Sequence, residues 1–122
     1  MTISEIANRL AELVRAWKDE QAHQELYSPD IVSVEVNNPQ TPDAIWLEWL
    51  KKKAEMRWDM LEEFHGITVS EPIIADDYFA VTYAMDITYK GAPRNTETEL
   101  AVYKVANGKI VREEFFYVMP EM

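Results

Sequence analysis

Apolar residues recur at helical spacing in the first half of the chain and alternate with polar ones in the last third. Ile6, Leu10, Leu13, Val14 and Trp17 share one helical face, with Ser4 placed as the N-cap. A short second helix is predicted over 20–27, ending at Ser28-Pro29-Asp30 because the residue before Pro disfavours the α region. Ile31 to Val36 reads as a β-branched strand. Thr41 then reads as an N-cap and Pro42 as a first helical residue, opening a helix over 43–61 that carries Trp46, Trp49, Leu50, Met56 and Met60. Strands follow near 64–73, 78–89, 94–105 and 109–118.

Asn107-Gly108 is the strongest turn signal, since both residues tolerate the positive φ of a type I′ turn. A two-residue turn there pairs Ala106 with Lys109, Val105 with Ile110, Val102 with Glu113 and Leu100 with Phe115. A compact turn at Asp76-Asp77 opposes Val69 to Tyr83, Ile67 to Met85, and sets His65 near Ile87. A four-residue loop at Lys90-Gly91-Ala92-Pro93 pairs Ile87 with Thr96, Met85 with Thr98 and Tyr83 with Leu100. The expected interior is then His65, Ile67, Val69, Phe79, Val81, Tyr83, Met85, Ile87, Thr98, Leu100, Val102, Glu113, Phe115 and Tyr117. The opposite face, with Ala80, Thr82, Ala84, Ala101, Tyr103, Arg112, Glu114 and Phe116, is too apolar for a fully solvated sheet. A homodimer packing sheet on sheet explains it, and an exposed face with incidental apolar residues is the alternative.

At 122 residues the chain suits one domain, expected over 1–122, and its aromatic content supports a packed core. A net charge of -10 opposes binding to nucleic acid or to an anionic membrane. The absence of cysteine excludes disulfides, thiolate metal sites and Cys nucleophiles. No apolar run approaches the ~20 residues of a membrane span, and the amphipathic N-terminus lacks signal-peptide character. A soluble cytoplasmic protein is expected. The two histidines lack metal-ligand spacing, and no phosphate loop, dinucleotide glycine pattern or nucleophile elbow is present, so no cofactor and no metal are expected.

The order helix, helix, strand, long helix and meander, with the segments ELYSPDIVSVE and VYKVANGKIVREEFF, resembles the SnoaL-like branch of the nuclear transport factor 2-like fold. The resemblance covers essentially the whole chain and implies an α+β fold, a cone-shaped curved antiparallel sheet wrapped around three N-terminal helices. It implies a deep apolar pocket as well. By position, Glu35 matches the general-base Asp of ketosteroid isomerase, whereas the oxyanion Asp aligns with Leu100 and the oxyanion Tyr falls near Ala11. The catalytic Asp of SnoaL-type cyclases is matched by Phe115. Both oxyanion donors are therefore missing, which argues against ketosteroid isomerase activity by that mechanism.

Glu113, alone among apolar neighbours, is the leading catalytic candidate, because burial raises a carboxyl pKa toward the range useful for proton transfer. Its structural alternatives are a hydrogen bond to Tyr83 or Tyr117, or a strand twist that carries it to a wet edge. Glu35 is the second candidate; Val32, Val34 and Val36 form the more apolar side of its strand, so it could equally be solvated. If both reach one pocket, their like charges split their pKa values into an acid and a base. His65 is the third, as a neutral base or hydrogen-bond donor, with a satisfied structural histidine as the alternative. Trp17, Trp46, Trp49, Tyr83, Met85, Leu100, Phe115 and Tyr117 are candidate ligand-binding walls or plain core. His23 and the run Lys51-Lys52-Lys53 are expected on the surface. These readings leave three functions open: a cofactor-free isomerase- or cyclase-like enzyme acting beside a carbonyl, a module binding a small hydrophobic molecule, and a dimeric scaffold with a filled core.

Overall fold

The structure is a computed structural model that describes residues 1–118; residues 119–122 of the expected domain lie outside that range. Its elements run α1 (Ile3–Arg15), α2 (Asp19–Leu26), β1 (Tyr27–Glu35), β2 (Ala44–Ile45), α3 (Leu47–Asp59), β3 (Leu61–Val69), β4 (Ile73–Ala75), β5 (Tyr78–Tyr89), β6 (Asn95–Ala106) and β7 (Lys109–Phe116). The strands form one sheet in the order β2-β1-β7-β6-β5-β3, with β4 also on β5. The result is an α+β domain, three helices and a curved seven-stranded sheet. The sheet is mixed rather than purely antiparallel, because β1 enters parallel to β7.

Helix α1 begins two residues earlier than the sequence predicts. Thr2, not Ser4, is the cap: its hydroxyl accepts from the Glu5 N–H while the Glu5 carboxylate accepts from the Thr2 N–H, a reciprocal capping box. Ile6, Ala7, Leu10, Ala11 and Leu13 are buried and form the core with Val69, Phe79, Val81, Tyr83 and Tyr103. Helix α3 starts later than predicted. Residues 41–43 are irregular, Ala44-Ile45 pair with Val32 and Ser33 of β1, and the helix begins only after Trp46. Of its residues only Leu50 is buried, while Trp46, Trp49, Met56, Trp58 and Met60 are exposed.

The predicted register holds on β3 and β5, where Val69 opposes Tyr83 and Ile67 opposes Met85. It fails on β6 by one residue. Ile87 opposes Asn95, Met85 opposes Glu97 and Tyr83 opposes Glu99. On the other edge, Ala106–Lys109 and Val105–Ile110 pair as expected, but a bulge at Val111 then sets Tyr103 opposite Glu113 and Ala101 opposite Phe115. The two slips together invert β6. Ala101, Tyr103 and Glu99 face inward and are buried, whereas Leu100 is 42% exposed on the outer face with Val102.

Candidate functional site

Four elements project polar side chains into the concave side of the sheet: β1, α3, β6 and β7. The parallel register sets Ser33 of β1 opposite Glu113 of β7. Both are buried. The Glu113 carboxylate accepts from the Tyr27 hydroxyl at 2.5 Å and from the Ser33 hydroxyl at 2.8 Å. Its pKa is raised: burial penalises the charge more strongly than the bonds from Tyr27 and Ser33 and the nearby Lys53 favour it.

Lys53 reaches this group from α3. Its ammonium donates to Ser33 Oγ at 2.9 Å and to Glu35 Oε2 at 3.1 Å, and it lies 5.4 Å from the Phe115 ring centre. Glu35 Oε1 also accepts from the Tyr117 hydroxyl at 3.3 Å. One turn further along α3, the Arg57 guanidinium lies 3.4 Å from Met85 Sδ and 3.6 Å from Glu97 Oε1. Burial disfavours the Arg57 charge, but Glu99, Tyr89, Glu97 and Glu35 more than offset this and raise its pKa. Tyr89 donates to Glu97 at 2.6 Å, and its own pKa is pushed up to about 12, first by burial and then by that bond.

Glu99 is the residue that the sequence reading missed. It stands on the inward face of β6 and is 9% exposed, and among the described residues no buried side-chain oxygen or nitrogen lacks a partner, so its carboxylate keeps a narrow contact with solvent. Burial pushes its pKa up to about 7; Arg57 counteracts this, while the like charges of Glu35, Glu113 and Glu97 reinforce it. A carboxyl near pH 7 is matched to proton transfer in either direction. The available signal was its spacing, since Glu97, Glu99, Ala101, Tyr103 and Val105 alternate with Thr98, Leu100, Val102 and Lys104.

The remaining expectations divide sharply. Tyr83, Met85, Phe115 and Tyr117 face the concave side; Tyr83 is sealed, its hydroxyl paired at 2.6 Å with Tyr103. Leu100 is corrected to the outer face by the β6 slip, and Ala101 and Tyr103, expected outside, lie in the core. His65 is likewise corrected. At a bulge between Phe64 and Gly66, Phe64 rather than His65 takes the place opposite Ile87, and both His65 ring nitrogens are engaged, with Thr88 Oγ1 at 2.8 Å and with Glu63 at 2.5 Å. Trp46, the residue before α3, and Trp49 on it are half exposed, with Lys52 over the Trp49 ring. Trp17, at the α1–α2 corner with a positive φ of 61°, packs edge-on against Phe64 at 4.7 Å.

His23 is not a plain surface residue: it packs against the Tyr27 ring at 4.7 Å, and burial, aided by Lys51, lowers its pKa to about 4. It borders a cleft of about 150 Å³ between α2 and α3, lined also by Asp19, Lys51 and Glu55. Among the described residues no group of three or more His, Cys, Asp or Glu could hold a metal ion, and no helix is long and apolar enough to cross a membrane.

The fold finds clear counterparts. Residues 1–117 match the SnoaL-like domain family, and the chain belongs to it. A protein from Mesorhizobium loti, provisionally described as a SnoaL-like polyketide cyclase, is 34% identical, covers 96% of this chain and 100% of its own, and superposes with a TM-score of 0.88. TerC, co-crystallised with polyporic acid, has a TM-score of 0.74 at 15% identity, covering 94% and 88% of the two chains. A Catenulispora acidiphila protein of ketosteroid isomerase-like fold, in complex with trimethylamine, reaches 0.76 at 17% identity, covering 97% and 88%. No curated protein matches the chain.

Proposed function

We propose that this SnoaL-like domain is a cofactor-free acid–base catalyst that moves a proton beside the carbonyl of a small molecule. Glu99 is the proton-transfer group, and the Lys53 ammonium, with Arg57 beside it, stabilises the negative charge that develops on the carbonyl oxygen. The observation that carries this is the placement of a buried carboxyl, Glu99, on the concave face of the sheet to which α3 brings Lys53 and Arg57; burial pushes the Glu99 pKa up to about 7 and Arg57 counteracts it. Lys53 supplies what the sequence comparison found missing. It is an oxyanion partner of a different chemical kind, brought in from α3.

Met85, Phe115 and Tyr117 offer an apolar wall to the substrate. Glu35, Lys53, Arg57 and Glu99 put polar groups beside that wall, which favours a ligand with one enolisable carbonyl edge. The outer face supports a homodimer: Ala80, Ala84, Leu100, Val102 and Phe116 give an apolar strip on a strand face otherwise open to solvent. Binding without turnover is the second reading, favoured by relatives caught with small molecules.

The test is solvent deuterium uptake, by mass spectrometry, at the carbon next to the carbonyl in a panel of cyclic ketones and 1,3-diketones. Wild-type protein should exchange the best probe faster than buffer, with a midpoint near pH 7, and Glu99→Gln should lose most of that rate. Equal rates in wild type and Glu99→Gln would remove Glu99 from the chemistry. Saturable binding of a probe without exchange would leave the second reading.

A further inference from the structure

Glu113 is closed off from a ligand by burial: it is 4% exposed, with Oε2 accepting from Tyr27 and Oε1 from Ser33. Its influence must therefore pass through a neighbour. The Ser33 hydroxyl has a single proton, which it gives to Glu113, so toward Lys53 it can only accept, and the ammonium donates to it at 2.9 Å. The direction of the chain is thus fixed as Lys53 to Ser33 to Glu113. Hydrogen bonds aligned in this way polarise one another in a dry interior.

The two ends of that chain differ in rigidity. Ser33 and Glu113 are register partners on adjacent strands, so the sheet itself sets their separation. Lys53 extends a flexible four-carbon stem from a helix that buries only Leu50. An ammonium so mounted needs an anchor if its charge is to stay at one point. Glu35 provides one acceptor at 3.1 Å, and the fully buried Ser33 provides the other at 2.9 Å.

We infer that Ser33, backed by Glu113, is a positioning residue that fixes the Lys53 ammonium in the hollow. The inference rests on the reading of Lys53 as the cation of the proposed site. It reassigns Glu113 from the proton-transfer role its sequence position suggested to that of a buried counter-charge acting through a hydroxyl. The charged and titratable groups around Glu113 are Tyr27 and Glu35 from β1, Lys53 from α3, Glu99 from β6, and the paired Tyr83 and Tyr103.

The test is NMR of the lysine ammonium groups in ¹⁵N-lysine-labelled protein, without any ligand. In wild type the Lys53 signal should be slow-exchanging, unlike that of exposed Lys52. Ser33→Ala should speed its proton exchange roughly tenfold, the loss of one charge-assisted hydrogen bond. Ser33→Thr keeps the hydroxyl at a strand position that suits β-branching and should stay close to wild type. An unchanged Lys53 signal in Ser33→Ala overturns the inference. Should that variant fail to fold, wild type carries the test: the Lys53 Nζ shift should follow the titration of the Glu113 carboxyl with the same midpoint, and a flat response there overturns it. Neither readout uses turnover, so an ordered Lys53 in a protein that exchanges no probe removes the proposed reaction while leaving the positioning role intact.

Discussion

Replacing Glu99 by Gln should change how stability depends on pH, in a direction the structure fixes. The carboxyl rises from its ordinary 4.5 to about 7 on folding, so between these values the folded chain holds a proton that the unfolded chain has released. Stability then falls as pH increases, because the native state binds more protons. The favourable contribution is complete below about pH 4.5 and is lost as pH climbs through 7. At about 1.4 kcal/mol for each tenfold change, the whole swing is about 3 kcal/mol. Gln cannot ionise, so the variant lacks this term.

Urea unfolding followed by tryptophan fluorescence at pH 5, 6, 7 and 8 reads it directly, with four Trp as reporters. The difference between wild type and Glu99→Gln isolates Glu99 from Glu113, whose raised pKa gives wild-type stability the same sign of slope. Glu99→Gln should match wild type near pH 5 and exceed it by about 2–3 kcal/mol at pH 8. Parallel curves for the two proteins across this range would refute the reasoning, since they would mean that Glu99 ionises as it does in water.

Three further outcomes follow from the same geometry. Ala101→Leu forces bulk into a fully buried site and should cost roughly 1–3 kcal/mol in urea unfolding, while Thr98→Leu on the solvent face should stay within about 0.5 kcal/mol; the reverse order would restore the register read from sequence. His23 is held neutral with a pKa of about 4, so the unfolded chain binds the extra proton and stability should fall as pH drops from 6.5 toward 4. His23→Gln should flatten that acid limb, and an unchanged limb would mean that the ring is not buried. If the outer face joins two copies, Phe116→Glu should convert a dimer to a monomer in sedimentation velocity; a wild-type monomer at micromolar concentration would exclude that interface.

The fold was largely legible because its signals are local. Ile6, Leu10 and Leu13 mark α1 by spacing, and Phe79, Val81, Tyr83, Met85 and Ile87 mark the inner face of β5 by alternation. The parallel entry of β1 beside β7 was not legible, since Ile31 to Val36 carries nothing that tells one neighbour from another. The site was hidden by β6. Strand parity has period two, so a one-residue slip at each of its edges produced two errors that agreed with each other. Neither the Val111 bulge nor the true span of the Ile87–Asn95 turn has a sequence signal as strong as Asn107-Gly108. Leu100 and Val102 look like core beside Ala101 and Tyr103, and only the three-dimensional pairing decides which couple is inside. Glu113 survived because the bulge on its own strand shifted β6 rather than β7. Lys53 was read as solvent-facing because a run of three lysines gives no hint that one of them turns inward.

The central claim is that folding places one carboxyl near neutrality inside a hollow bearing two cations. Its most direct measurement is a ¹³C NMR titration of the Glu99 side-chain carboxyl in the free protein from pH 3 to 9. A midpoint close to 7 is the predicted result, moving down in Glu113→Gln as one like charge is removed. A midpoint at the ordinary 4.5 would contradict the account, because Glu99 would then be a solvated strand residue with no capacity to shuttle protons at neutral pH.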